Sequence, residues 1–181
     1  LDNPDDVAKA WNLLSGIRVL DPTCGSGAFL FSALSVLHRL YAAVLEVAEA
    51  HLKTSSNPKL KALVETANAH PDRDYFLLKH AALRNIYGVD LMPEAVEIAR
   101  LRLFLKLIAQ VQRRDDIEPL PDLEFNIRSG NILVGALTPD DIRARVDLFK
   151  QDVVNDTLRG AEEVSHAYRG FSSAQDGGSH E

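Results

Sequence analysis

In 181 residues this chain has one cysteine, one methionine and one tryptophan, and aromatics make up only 7%. A lone cysteine excludes an internal disulfide framework and fits a reducing compartment, so a cytoplasmic location is expected. Basic residues are also short: Lys+Arg number 20 against 26 Asp+Glu, a net charge of −6. That balance argues against a general nucleic-acid clamp. No run approaches the roughly 20 consecutive apolar residues of a membrane-spanning helix, and no signal-peptide pattern is visible. The six histidines show neither His-x-x-x-His nor cysteine-paired spacing, so no metal site is expected. A hydrophobic share of 46% is enough for one good core.

What the chain does have is the run Val19-Leu20-Asp21-Pro22-Thr23-Cys24-Gly25-Ser26-Gly27-Ala28-Phe29-Leu30. It reads as a short buried strand ending at an acidic residue, a tight glycine loop, and the start of an apolar helix. Pro22 holds Asp21 extended and stops the strand. Gly25 and Gly27 allow a backbone path and a ligand approach that side chains would block. Such a loop brings backbone N–H groups and a helix N-terminus to the carboxyl end of a parallel strand. It has no Gly-Lys-Ser/Thr, so it is not a phosphate-gripping loop, and Leu30 replaces the third glycine of the dinucleotide pattern. Cys24 has no histidine near it in sequence and is not expected to act as a nucleophile.

Periodicity predicts the other elements. A short amphipathic helix is expected over residues 5–14 and a strand over 17–20. A long apolar helix should run from 28 to about 53, followed by helices over 59–69 and 75–84. Asn85 to Asp90 reads as the second strand, again ending at an acidic residue. Pro93 then opens a helix to about Arg113, with Glu94 and Glu97 complementing its dipole. Glu124 to Arg128 reads as the third strand, followed by Ser129-Gly130-Asn131. Thr138 and Pro139 open a charged helical tail, and 172–181 is expected to be disordered. Alternating strands and helices imply a parallel sheet with right-handed crossovers. The first crossover is long, and its additional helices read as an insertion.

A carboxylate at the end of the second strand is placed to accept two hydrogen bonds from a ribose diol, or merely to cap the helix opened by Pro93. Asn131 could donate to and accept from an adenine edge, although Ser129-Gly130-Asn131 is also a good generic turn. Arg100, Arg102, Lys106, Arg113 and Arg114 form a basic run better read as a solvated face than as a DNA contact.

Asp21-Pro22-Thr23-Cys24-Gly25-Ser26-Gly27-Ala28-Phe29-Leu30 resembles motif I of S-adenosylmethionine-dependent DNA adenine-N6 methyltransferases. The resemblance is strongest to the large fused restriction–modification (type IIG) and phage-defence enzymes. Gly88-Val89-Asp90-Leu91-Met92-Pro93-Glu94-Ala95 and Arg128-Ser129-Gly130-Asn131-Ile132-Leu133 resemble the same group, in the right order. The resemblance covers roughly Asp5 to Gly135. It implies a Rossmann-like class I α/β fold with S-adenosylmethionine as cofactor. Asp21, Pro22, Thr23, Cys24, Gly25 and Gly27 would surround its methionine portion. Asp90 would hold the ribose, Leu91 or Met92 would pack on the adenine, and Gly130 and Asn131 would contact it.

The family transfers the methyl group at a later Asn/Asp-Pro-Pro-Tyr/Phe motif, which takes the amino group of a flipped base. Asn3-Pro4-Asp5 and Asn57-Pro58-Lys59 do not complete that motif, so no catalytic residue is expected here. The family sheet order 3-2-1-4-5-7-6 would leave this chain with strands 3-2-1 and the first strand as an open edge. The expected reading is a cofactor-binding half at 1–137, a helical extension at 138–170 and a tail at 171–181. DNA would be engaged through C-terminal parts beyond this sequence, and the exposed edge would promote self-association. Methyl transfer to RNA or a small molecule, or a non-catalytic module that kept the fold, are the alternatives. A dehydrogenase is weaker still, for want of the third glycine.

Overall fold

The computed structural model describes residues 3–70, 72–111, 123–133, 140 and 151–176. The chain forms two units, Leu1–Gly130 and Asn131–Glu181. In the first, α1 (Pro4–Gly16) leads into β1 (Val19–Asp21), then α2 (Ala28–Leu52), α3 (Pro58–Ala69) and α4 (Arg73–Asn85). β2 (Ile86–Asp90), α5 (Pro93–Ile108) and β3 (Ile127–Ser129) complete it. The second unit contains α6 (Gln151–Asp176). It continues through residues 172–176, which composition had assigned to the tail, while 177–181 and the Thr138–Pro139 helix start lie outside the described residues.

The three strands are parallel, with β2 between β1 and β3, the order expected from the sequence. Val19 pairs with Ile86 and Asp21 with Gly88, while Gly88 pairs with Ile127 and Asp90 with Ser129. That register brings the acidic ends of β1 and β2 to the same edge of the sheet, where the loops that could hold a ligand emerge.

α2 is the centre of the core. Leu30, Leu34, Leu37, Tyr41, Val44, Leu45 and Ala48 recur at helical spacing and are buried against α1, α3, α4 and the sheet. By length and composition α2 could cross a membrane, which the sequence reading had denied to any run. It carries Arg39, Glu46 and Glu49 on its flank, however, and serves as the core helix of this unit. Asn3 and Asn57 are helix N-caps, accepting from Asp5 N–H and from Lys59 and Leu60 N–H, each followed by proline at the first helical position. Capping is thus what the two Asn-Pro pairs do.

Three of the boundaries that differ from expectation bear on the site. β1 starts at Val19 because Ile17 still belongs to the end of α1: its N–H donates to Leu14 O, and its carbonyl accepts from Asn85 Nδ2. β3 starts at Ile127 because residues 124–126 form a turn, with Asn126 and Ile127 N–H both donating to Leu123 O. α5 ends at Ile108, where Gln110 N–H bonds Leu107 O and Val111 N–H bonds Ile108 O in tightened turns. Residues 112–122, including Arg113 and Arg114, lie outside the described residues.

Candidate functional site

The loop after β1 is held from within and from β2. Asp21 Oδ1 accepts from Thr23 N–H at 3.1 Å, an Asx turn by which the strand's last residue shapes its own exit. Cys24 N–H donates to Val89 O at 2.9 Å, and Gly27 N–H to Cys24 O at 2.8 Å. Gly25 and Gly27 have φ of +50° and +79°, the left-handed region that side chains disfavour. Gly27 is the N-cap of α2, and no side chain caps that helix. Its positive end therefore opens on the loop.

Asp90 locks the second loop to the first. Its Oδ2 accepts from Gly25 N–H at 2.7 Å and its Oδ1 from Met92 N–H at 2.9 Å. These bonds from Met92 and Gly25 hold its carboxyl below the ordinary aspartate range. Asp90 is not the cap of α5, because that N-cap is Met92, which gives no side-chain bond. Each carboxylate oxygen has a second lone pair, so the group can still receive hydroxyl donors. Next to it, Leu91 and Met92 are 69% and 59% exposed, an apolar pair facing solvent beside a carboxylate. Gly130 N–H donates to Asp90 O at 2.8 Å and closes the ladder.

The fold thus gathers Asp21 to Gly27, Asp90 to Met92 and Gly130 at the carboxyl ends of β1, β2 and β3. Asn131 starts the second unit, where its Oδ1 accepts from Leu133 N–H at 3.0 Å, a turn role. Three members of the basic run are half-buried and tied to neighbours. Arg100 donates to Ile127 O and Glu124 O and pairs with Glu97, sealing the outer edge of β3. Arg102 bonds Ser26, and Lys106 Nζ lies 4.3 Å from the centre of the Phe31 ring. An open cleft of about 370 Å³ beside β3 is lined by Arg100, Glu124, Phe125, Arg128 and Ser129. Among the described residues no three His, Cys, Asp or Glu side chains group as metal ligands.

Cys24 is buried at 5% exposure, packed under the loop. Burial, then the charges of Asp90 and Asp21, push its thiol above the ordinary value of 9.0. It is therefore a neutral thiol at pH 7 and a poor nucleophile. A raised acid pKa stabilises the fold below the unfolded value of 9.0, and that contribution is lost as pH rises through the folded value. Wild type should lose more melting temperature than Cys24→Ala between about pH 8 and about pH 10. Equal losses would show that Cys24 ionises freely in the folded chain.

Gly88, Ser26, Ala99, Arg102 and Asn126 shape the site without having been singled out for it in the sequence. Only Gly88 had a readable signal, a glycine inside a strand, which marks a close backbone approach.

A family model described as the MmeI DNA-methyltransferase domain matches residues 1–133, the stretch that contains this whole arrangement. The chain belongs to that family. It is 37% identical over 126 residues to a Methanocaldococcus jannaschii protein named as a type II restriction enzyme and methyltransferase. That match takes in 67% of this chain and 9% of the relative. It is 31% identical over 93 residues to the adenine-specific methyltransferase PglX of Streptomyces coelicolor, which covers 51% of this chain and 6% of that protein. The chain therefore spans less than a tenth of either relative's length. No solved structure matches it. Within the MmeI methyltransferase family, the matched segment ends just beyond the third strand, so the loops after β1, β2 and β3 all fall inside it.

Proposed function

We propose that this chain is the cofactor-binding half of a Rossmann-like class I methyltransferase domain, with the helices between β1 and β2 as an insertion. It binds S-adenosylmethionine, and the intact protein methylates adenine N6 in DNA as part of restriction–modification or phage defence. The observation that carries this reading is the 2.7 Å bond between Asp90 Oδ2 and Gly25 N–H, which fuses the two strand-end loops into one receptor. The remaining acceptor capacity of Asp90 suits a ribose hydroxyl pair, and the exposed Leu91 and Met92 suit the face of a purine. The uncapped N-terminus of α2 suits a carboxylate. The cofactor supplies a methyl group already activated on a sulfonium. The protein's part is to fix its direction of approach. Thr23 and Pro22 belong to the same proposed contact set. DNA and the methylated base would be held by other parts of the intact protein.

Isothermal titration of S-adenosylmethionine into the chain, with Asp90→Ala as control, tests this. Binding heat is expected for the wild type and should vanish in the variant while its circular dichroism stays native. A folded wild type that gives no heat would sink the claim that this chain holds the site.

Self-association is also proposed. β1 is an edge of the sheet among the described strands, and Leu20, on the sheet face opposite Val19, is 53% exposed. Leu13, Ile17, Val36 and Leu40 add further exposed apolar surface on α1 and α2 and in the turn before β1. Parallel sheets are normally covered on both faces, so bare apolar surface of this kind recruits cover. Sedimentation velocity should show dimers or larger species that Leu20→Lys reduces. A concentration-independent monomer would refute it.

A further inference from the structure

One segment, β2 with α5, addresses the glycine loop residue by residue. Val89 O takes Cys24 N–H, and Asp90 takes Gly25 N–H. Ala99 backs Gly27 so closely that a Cβ there would lie 3.1 Å from Ala99 Cβ. Between them, Arg102 Nη1 donates to Ser26 O at 2.9 Å and to Ser26 Oγ at 3.1 Å. Its guanidinium lies 5.6 Å from the centre of the Phe31 ring, which steadies the side chain from α2.

Ser26 sits between two left-handed glycines, where peptide units turn over at little steric cost. Its carbonyl and the N–H of Gly27 belong to one planar peptide unit. Arg102 holds the oxygen end of that plane and Cys24 O holds the N–H end at 2.8 Å. With both ends held, a flip of the plane must break both bonds, and the first turn of α2 enters at the angle they set.

We infer that Arg102 is a positioning residue for the methyl donor: it pins the Ser26–Gly27 peptide and so preorganises the loop that receives the ligand. The inference rests on the methyl-donor reading of the loop. It assigns to a residue of the basic run a task inside the protein rather than on nucleic acid.

Arg102→Met keeps the aliphatic stem over Phe31 and removes the donors, whereas Arg102→Lys restores a cation with fewer, unplanar donors. Two measurements apply to the chain: amide hydrogen exchange at Gly27 and calorimetric affinity for S-adenosylmethionine. Arg102→Met should exchange the Gly27 amide about tenfold faster and bind S-adenosylmethionine about tenfold more weakly. Its melting temperature should stay within a few degrees of wild type, and Arg102→Lys should recover part of both effects. Unchanged Gly27 exchange overturns the inference whatever the affinity does. Faster exchange with unchanged affinity overturns the role toward the methyl donor. Absence of binding heat in the wild type removes the methyl-donor reading and this role with it, while the exchange rate separately decides whether Arg102 holds the loop.

Discussion

Asn126→Asp is expected to cost about 3–5 kcal/mol, a large part of the stability of a domain this size. Asn126 is 2% exposed, and its Nδ2 donates to Ala82 O, Leu83 O and Ile86 O at 3.2, 3.0 and 2.9 Å. Ala82 and Leu83 lie in the last turn of α4, whose final carbonyls have no partner within the helix. One amide group thus closes a helix end and the first residue of β2. Aspartate keeps the shape but puts acceptor oxygens, and at neutral pH a charge, against three carbonyls. Asn126→Ala removes the donor without adding repulsion and should cost less, about 2–3 kcal/mol. Urea unfolding of the three proteins measures this. An aspartate variant no worse than the alanine one would mean that Asn126 is not the clamp it looks to be.

Gly88→Val should cost about 3 kcal/mol and abolish ligand binding, although valine is the better strand former. A Cβ at Gly88 would stand 2.7 Å from Leu30 Cδ1, 3.1 Å from Cys24 Sγ and 3.2 Å from Cys24 Cβ. Leu30 and Cys24 are buried and cannot swing out, so the glycine loop and the start of α2 must lift from β2. Lifting them breaks the Cys24–Val89 and Gly25–Asp90 bonds described above. Gly130→Ala is the control, since its Cβ would meet only Val89 Cγ1 at 3.7 Å. Thermal unfolding of both separates them, and calorimetry on Gly88→Val reads the loss of binding. Equal stability of the two variants would show that the loop has slack at Gly88.

The elements with strong local signals were legible in the sequence. The apolar repeat of α2 and the two strands ending in aspartate each carry their cause within a few residues. Asp90 was legible as a candidate site residue for the same reason. Its grip on Gly25 was not, because the bond joins residues 65 apart and depends on strand register. Asn126 looked like a strand residue because its local pattern is strand-like, and its buried carbonyl partners lie 40 to 44 positions away. The ties made by Arg100 and Arg102 were hidden for a related reason. Charges on a helix face read as solvated unless one knows that Ser26 and the β3 edge lie within reach of Arg102 and Arg100. Asn131 was read from its neighbours in sequence, while the chain divides into units at that residue.

The grip of β2 and α5 on the glycine loop also has a consequence in time. The loop closes early in the sequence, yet its shape depends on partners that lie 65 and 76 residues further along. Until the long crossover collapses and β1 finds β2, the loop lacks the bonds that shape it. The ligand recognition proposed above would therefore be a property of the finished sheet. By mass action, a ligand that selects this finished state stabilises the whole unit. A binding isotherm on this chain is then also a count of the molecules that have completed their fold.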